Sequence, residues 1–188
     1  MTAALPLLDF TDLPRFDAVT PDQVEGAITD LLQHAEQALE TVTAADFPAD
    51  WVRMAAVLDV ATERLGRAWG VISHLNAVAD TPELRAAYNL ALPRVTDFWT
   101  RLGADERLFA KYRAMDSRKL DAAQQQALKN ALRNFVLSGA ELQGEAKTRF
   151  AQIQERQAEL SQKFSENVLD ATDGWTYLAQ EAELNGVP

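Results

Sequence analysis

Residues Glu145–Thr172 read EAKTRFAQIQERQAELSQKFSENVLDAT. Ala146, Phe150, Ile153, Leu160, Phe164, Val168 and Ala171 recur there at steps of three, four or seven, which sets them on one stripe of a single helix. At 1.5 Å per residue that helix is roughly 40 Å long, about twice the usual globular length. A stripe of that length calls for several other helices to cover it. Gln157 interrupts the stripe between Ile153 and Leu160, and Asn167 lies beside Val168. A polar group on a buried seam needs a partner or a water and often fixes register. A structural role is favoured for both over a functional one, and the plain alternative is a seam exposed at those points.

Working back from this helix, the pattern stays helical. Thr20-Pro21 followed by Gln23 is a capped, proline-led start, with Val19 and Val24 at the positions of a hydrophobic staple. Val24, Ile28, Leu31, Leu32, Ala35, Leu39 and Val42 carry that helix to about residue 43. A second helix is expected from about Pro48 to Ala79, with Trp51, Met54, Leu58, Leu65, Trp69, Ile72 and Leu75 on its apolar face. Gly66 and Gly70 lie inside it, and since each costs about 1 kcal/mol against alanine, close approach of a neighbouring helix is the expected offset.

Thr81-Pro82 opens a third helix to Leu102, which Pro93 should kink or split near Leu90. Gly103 stops it. Asp105 caps a short helix to Met115, with Leu108, Phe109 and Tyr112 inward. Asp121 with Gln124 caps another, carrying Ala127, Leu128, Leu132, Phe135 and Val136 to a terminating Gly139. Residues 1–19 read as an extended arm whose Leu5, Leu7, Leu8, Phe10, Leu13 and Phe16 pack across the bundle or against something outside the chain. After Thr172, Asp173-Gly174 signals a turn and Trp175–Leu178 is β-prone.

Composition excludes several functions. With 188 residues and no cysteine, the chain has no thiolate zinc site, thiol nucleophile or disulfide framework. It is long enough to fold around its own core without a metal. A net charge of -10, with the basic residues scattered, argues against nucleic acid as a partner. No apolar run approaches the ~20 residues of a membrane span, and the N-terminus has no secretory signal pattern. The expected setting is cytoplasmic.

Chemistry is sparse. His34 and His74 are the two imidazoles, far apart in the chain and with no glutamate three residues before either. His34 reads as a surface or boundary residue and His74 as a half-buried, satisfied one. Glu155 and Glu159 at helical spacing describe a solvated face, since paired carboxylates work as acid and base only where a pocket separates their pKa values. Gly-rich phosphate loops and Gly-x-Ser-x-Gly elbows are missing. No catalytic, cofactor-binding or metal residue is assigned.

The end of the long helix, NVLDAT at 167–172, then GWTYL and ELNGVP, resembles the N-terminal region of the thimet-oligopeptidase family of zinc metallopeptidases. RFDAVTPDQVEGAI at 15–28, VISHLNAVADTPELRAAYNLALP at 71–93 and NALRNFVLSGAEL at 130–142 agree in the same order. The resemblance implies a catalytic H-E-x-x-H helix far downstream, where two histidines bind zinc and the glutamate activates water. No H-E-x-x-H occurs here, so no family catalytic residue is carried onto this chain.

The fold expected is all-α: an elongated multi-helix bundle with one long C-terminal helix and a short extended tail. Its expected parts are an arm at 1–19, a helical domain at 20–172 and the truncated start of a following segment at 173–188. By resemblance the function is the non-catalytic channel wall of a cytoplasmic zinc oligopeptidase, with zinc held in the remainder of the same peptidase chain and not by these residues. Short peptides are then the parent's substrates, and the isolated chain is expected to be inactive and to self-associate. The alternative is a free-standing helical module that binds a partner helix in a groove.

Overall fold

The computed structural model of the chain describes residues 5–186. Helix α1 (Pro21–Thr43) lies at the centre, and its Val24, Ala27, Ile28, Leu31, Ala35, Leu39 and Val42 are all buried. The Gln23 side chain reaches back to accept from the Thr20 N–H at 3.4 Å. The second rod starts at Trp51, slightly later than expected, because the Asp50 carboxylate accepts from the Arg53 N–H at 2.9 Å. It runs as α2 (Trp51–Met54), a π-helical turn (Ala55–Asp59) and α3 (Val60–Val78).

Helix α4 (Pro82–Gly103) passes unbroken through Pro93 and is not split near Leu90. Helices α5 (Glu106–Arg113) and α6 (Ala122–Leu137) follow, then α7 (Gly144–Asp173). At the start of α6 the Gln124 N–H donates to Asp121 Oδ1 at 2.8 Å and the Asp121 N–H to Gln124 Oε1 at 3.1 Å. That reciprocal pair is the expected capping box.

Two apolar cores share α1. Its N-terminal half packs with α3 and α4 around Ile28, Leu65, Ile72, Val95 and Phe98. Its C-terminal half packs with α2, the π turn, α5 and α6 around Val42, Met54, Leu58, Leu108 and Phe135. Among the described residues no polar or charged residue is buried. The organising element is therefore α1, and α7 contributes no buried residue at all.

Several expectations are corrected. The described part of the arm is not simply extended: Pro6–Leu8 and Phe16–Ala18 each form a 3-10 turn. Leu7 is buried against the first core, yet Leu13 stands 82% exposed. Gly66 and Gly70 are not crossed by a neighbour, since a Cβ built on either would meet nothing within 4 Å. Val136 faces solvent, one step past the buried Phe135.

Trp175–Leu178 forms no strand, because no other segment pairs with it among the described residues. Its Trp175 and Tyr177 rings stack on each other at 6.1 Å instead. Of the arm and tail, residues 1–4 and 187–188 lie outside the described range.

Gly139 ends α6 as expected, with φ of +87°. The Gly139 N–H donates to the Val136 carbonyl at 3.1 Å and the Ala140 N–H to that of Phe135 at 2.9 Å. This is a Schellman motif. It turns the chain toward α7, which lies along α4.

Candidate functional site

The two histidines do not meet. His34 is exposed on α1, and His74 is exposed as well, not half-buried as its sequence neighbours suggested. The Phe16 ring packs edge-on to His74 at 5.3 Å, which leaves the imidazole open to water. No group of three His, Cys, Asp or Glu among the described residues is placed to hold a metal ion. Zinc therefore does not fit the described donor set, and no metal chemistry is assigned to it. Glu155 and Glu159 are exposed on α7, and an ion pair with Arg156 holds the Glu159 carboxyl below the usual range.

The functional geometry lies in how α7 is seated. Lys147, Phe150, Gln154, Ala158, Gln162, Glu166 and Leu169 are its partly covered positions, mostly polar or small. Polar pairs hold this face. Lys147 meets Glu106 at 2.8 Å, and Asn89 donates to Glu166 at 2.8 Å. Arg85 gives two parallel N–H bonds to Asp170 at 2.7 and 3.0 Å.

The apolar stripe lies about a third of a turn or more round the helix. Of its large members only Phe150 is partly covered, against Gly139. Ile153 is 46% exposed, Leu160 48%, Phe164 70% and Val168 49%. Gln157 and Asn167 are exposed with them, so neither needs an internal partner. The expectation that several helices cover this stripe fails, since α7 rests on α4 by its other face. Beyond α7 the exposed side chains continue with Trp175, Tyr177 and Leu178.

Behind α7, a cleft of about 490 Å³ opens where the end of α3 and the first turns of α4 face the last turns of α7. Arg85 organises one wall, giving N–H groups to Asp80 Oδ2 at 2.6 and 3.1 Å while it holds Asp170. These bonds keep the Asp170 carboxyl below the usual range and the guanidinium charged. Tyr88 forms another wall, its ring stacked on Trp69 at 4.6 Å, and burial pushes its hydroxyl pKa up. Sequence reasoning missed this cleft. Asp80 and Arg85 flank the Thr81-Pro82 cap, but no local pattern pairs Arg85 with an aspartate 85 residues on.

The profile of the neurolysin/thimet oligopeptidase N-terminal domain matches residues 28–147, well over half of the chain. The chain belongs to that family. As a neurolysin/thimet oligopeptidase N-terminal domain it is similar to oligopeptidase A of Salmonella typhimurium, 42% identical over 97% of this chain and 28% of that protein. Oligopeptidase A of Escherichia coli is 40% identical over the same shares, 97% and 28%. That of Haemophilus influenzae is 37% identical over 100% of this chain and 28% of its own length. The chain thus spans little more than a quarter of these relatives. No described helix is long and apolar enough to cross a membrane.

Proposed function

We propose that this chain is the non-catalytic, channel-wall portion of a cytoplasmic, zinc-dependent oligopeptidase that degrades short peptides. The observation that carries the reading is the open apolar stripe of α7, Ile153, Leu160, Phe164 and Val168, on a helix seated by its polar side. A helix normally buries its apolar face, and contiguous exposed apolar surface marks an interaction site. The proposed occupant is the remainder of the same peptidase chain, supplied by the part of the relatives that this chain does not match. In this reading zinc, its ligands and the activated water belong to that remainder. The contribution of this portion is shape and access for the peptide.

A chimera tests this. Replacing the matching segment of Escherichia coli oligopeptidase A with this chain should retain zinc-dependent cleavage of short peptides. The isolated chain with added zinc should show no turnover above a matched blank. Turnover by the isolated chain would overturn the reading. So would a folded chimera whose inserted segment stays undocked and freely cleaved by added protease.

A further inference from the structure

The cleft at the last turns of α7 has a neighbour. A second one, of about 340 Å³, lies toward the start of α7 between Trp69, Val95, Trp99, Leu137 and Phe150, and no charged residue lines it. The two adjoin through a pair of stacked rings, Trp69 lining one and Tyr88 the other. Helices α3 and α7 each pack on α4 rather than on one another. Together the clefts therefore form one trough, with α4 as its floor and α3 and α7 as its walls. Phe150, Phe164 and Val168 of the apolar stripe line it. From Arg85 to Trp99 the floor is roughly 21 Å long at 1.5 Å per residue.

The walls restrict what the trough can hold. Their backbones are bonded within their own helices, so an extended peptide would find no free row of N–H and C=O groups to pair with. A helix bonds its own backbone and asks only for side-chain contact. The α3 wall leaves room for one. Gly66 stands two turns before Ser73 and Gly70 two turns before Ala77, on the faces that line the trough. A Cβ built on either glycine meets nothing within 4 Å. Charge sets a direction. Helices α3 and α7 both end beside Asp80 and Glu166, so two negative helix ends meet there against the one positive end of α4.

We propose that the trough seats an α-helix from the remainder of the same polypeptide, parallel to α4 and with its N-terminus at the Asp80 end. The proposal deepens the channel-wall reading and rests on it. The relatives continue far beyond the quarter of their length that this chain matches, and that length supplies the helix.

Cross-linking in the chimera with the rest of Escherichia coli oligopeptidase A tests this. The chain has no cysteine, so Ala77→Cys or Leu137→Cys gives it a single thiol at one end of the trough or the other. With a benzophenone on that thiol, both positions should cross-link to one segment of the remainder. The two partner residues should lie about 14 apart, as a helix of the trough's length requires, with the Ala77 partner earlier in the chain. An extended segment would place them about 6 apart. Gly70→Leu should not lower the urea midpoint of the isolated chain. In the chimera it should cut the Ala77 cross-link at least about tenfold, because the added side chain overpacks the contact. Gly66→Leu serves as the second variant if Gly70→Leu fails to fold.

Partners about 6 residues apart, or in the reverse order, overturn the helix. So do cross-links formed only to added peptide or between two copies, and so does the lack of any cross-link. In a chimera that still cleaves peptides, each of these results leaves the channel-wall reading standing. A chimera whose inserted segment stays undocked overturns both.

Discussion

Gly139 has a φ of +87°, where a side chain is strained whatever space surrounds it. A Cβ there would also lie 3.1 Å from Leu142 Cδ1 and 3.3 Å from Phe150 Cδ1. Gly139→Ala should therefore destabilise the chain by about 1–2 kcal/mol, read as a lower urea midpoint at unchanged slope. Gly103 fails for a different reason. Its φ is ordinary, but a Cβ would sit 2.9 Å from Ser138 Cβ, so Gly103→Ala should also destabilise. Gly66 and Gly70 give the opposite sign. Each sits inside α3 with open space around a built Cβ. Alanine at either should stabilise by about 0.5–1 kcal/mol, since only backbone freedom changes. A loss of stability there would restore the close helix approach that the glycine spacing suggested. Gly139 was legible because a stop residue after an apolar run is a local signal. The surroundings of Gly66 and Gly70 were not, because a neighbour's passage belongs to the tertiary fold.

Most elements were readable because their start signals are local: Thr20-Pro21, Thr81-Pro82, Asp105 and Asp121 each mark an observed helix. The seating of α7 was not readable. Periodicity reports which face of a helix is apolar, but not whether this chain supplies the cover. Helix α7 is held mainly through polar pairs, and Arg85 with Asp170 latches its last turns. Arg85 depresses the Asp170 pKa in the folded state. A depressed carboxylate stabilises fully above its unfolded value of about 3.9, and the contribution is lost as pH falls through the folded value. Hydrogen-exchange protection of the 162–172 amides should therefore drop on acidification below about pH 4, before that of the buried α1 amides. In Asp170→Asn those amides should be weakly protected at neutral pH already. Equal protection in the variant and the parent would show that the latch does not hold the helix.

At the scale of the whole molecule, two sets of apolar side chains have opposite duties. Phe98 is fully buried in the first core, and its truncation to alanine should cost about 3–5 kcal/mol. Leu160 and Phe164 stand at 48% and 70% exposure and belong to neither core. Replacing both with glutamate should leave the unfolding free energy, read by urea titration, within about 0.5 kcal/mol of the parent, as for other surface changes. The same pair of changes should alter association. With the stripe open, the isolated chain should form larger species as its concentration rises, because two such faces can cover each other. Sedimentation velocity should show this shift for the parent, and a single monomer boundary for the double glutamate variant. In the chimera with the rest of oligopeptidase A the proposed channel-wall role requires that the variant lose activity. A parent that stays monomeric at high concentration, together with a fully active double variant, would mean the stripe is ordinary surface. The channel-wall reading would then lose its main support.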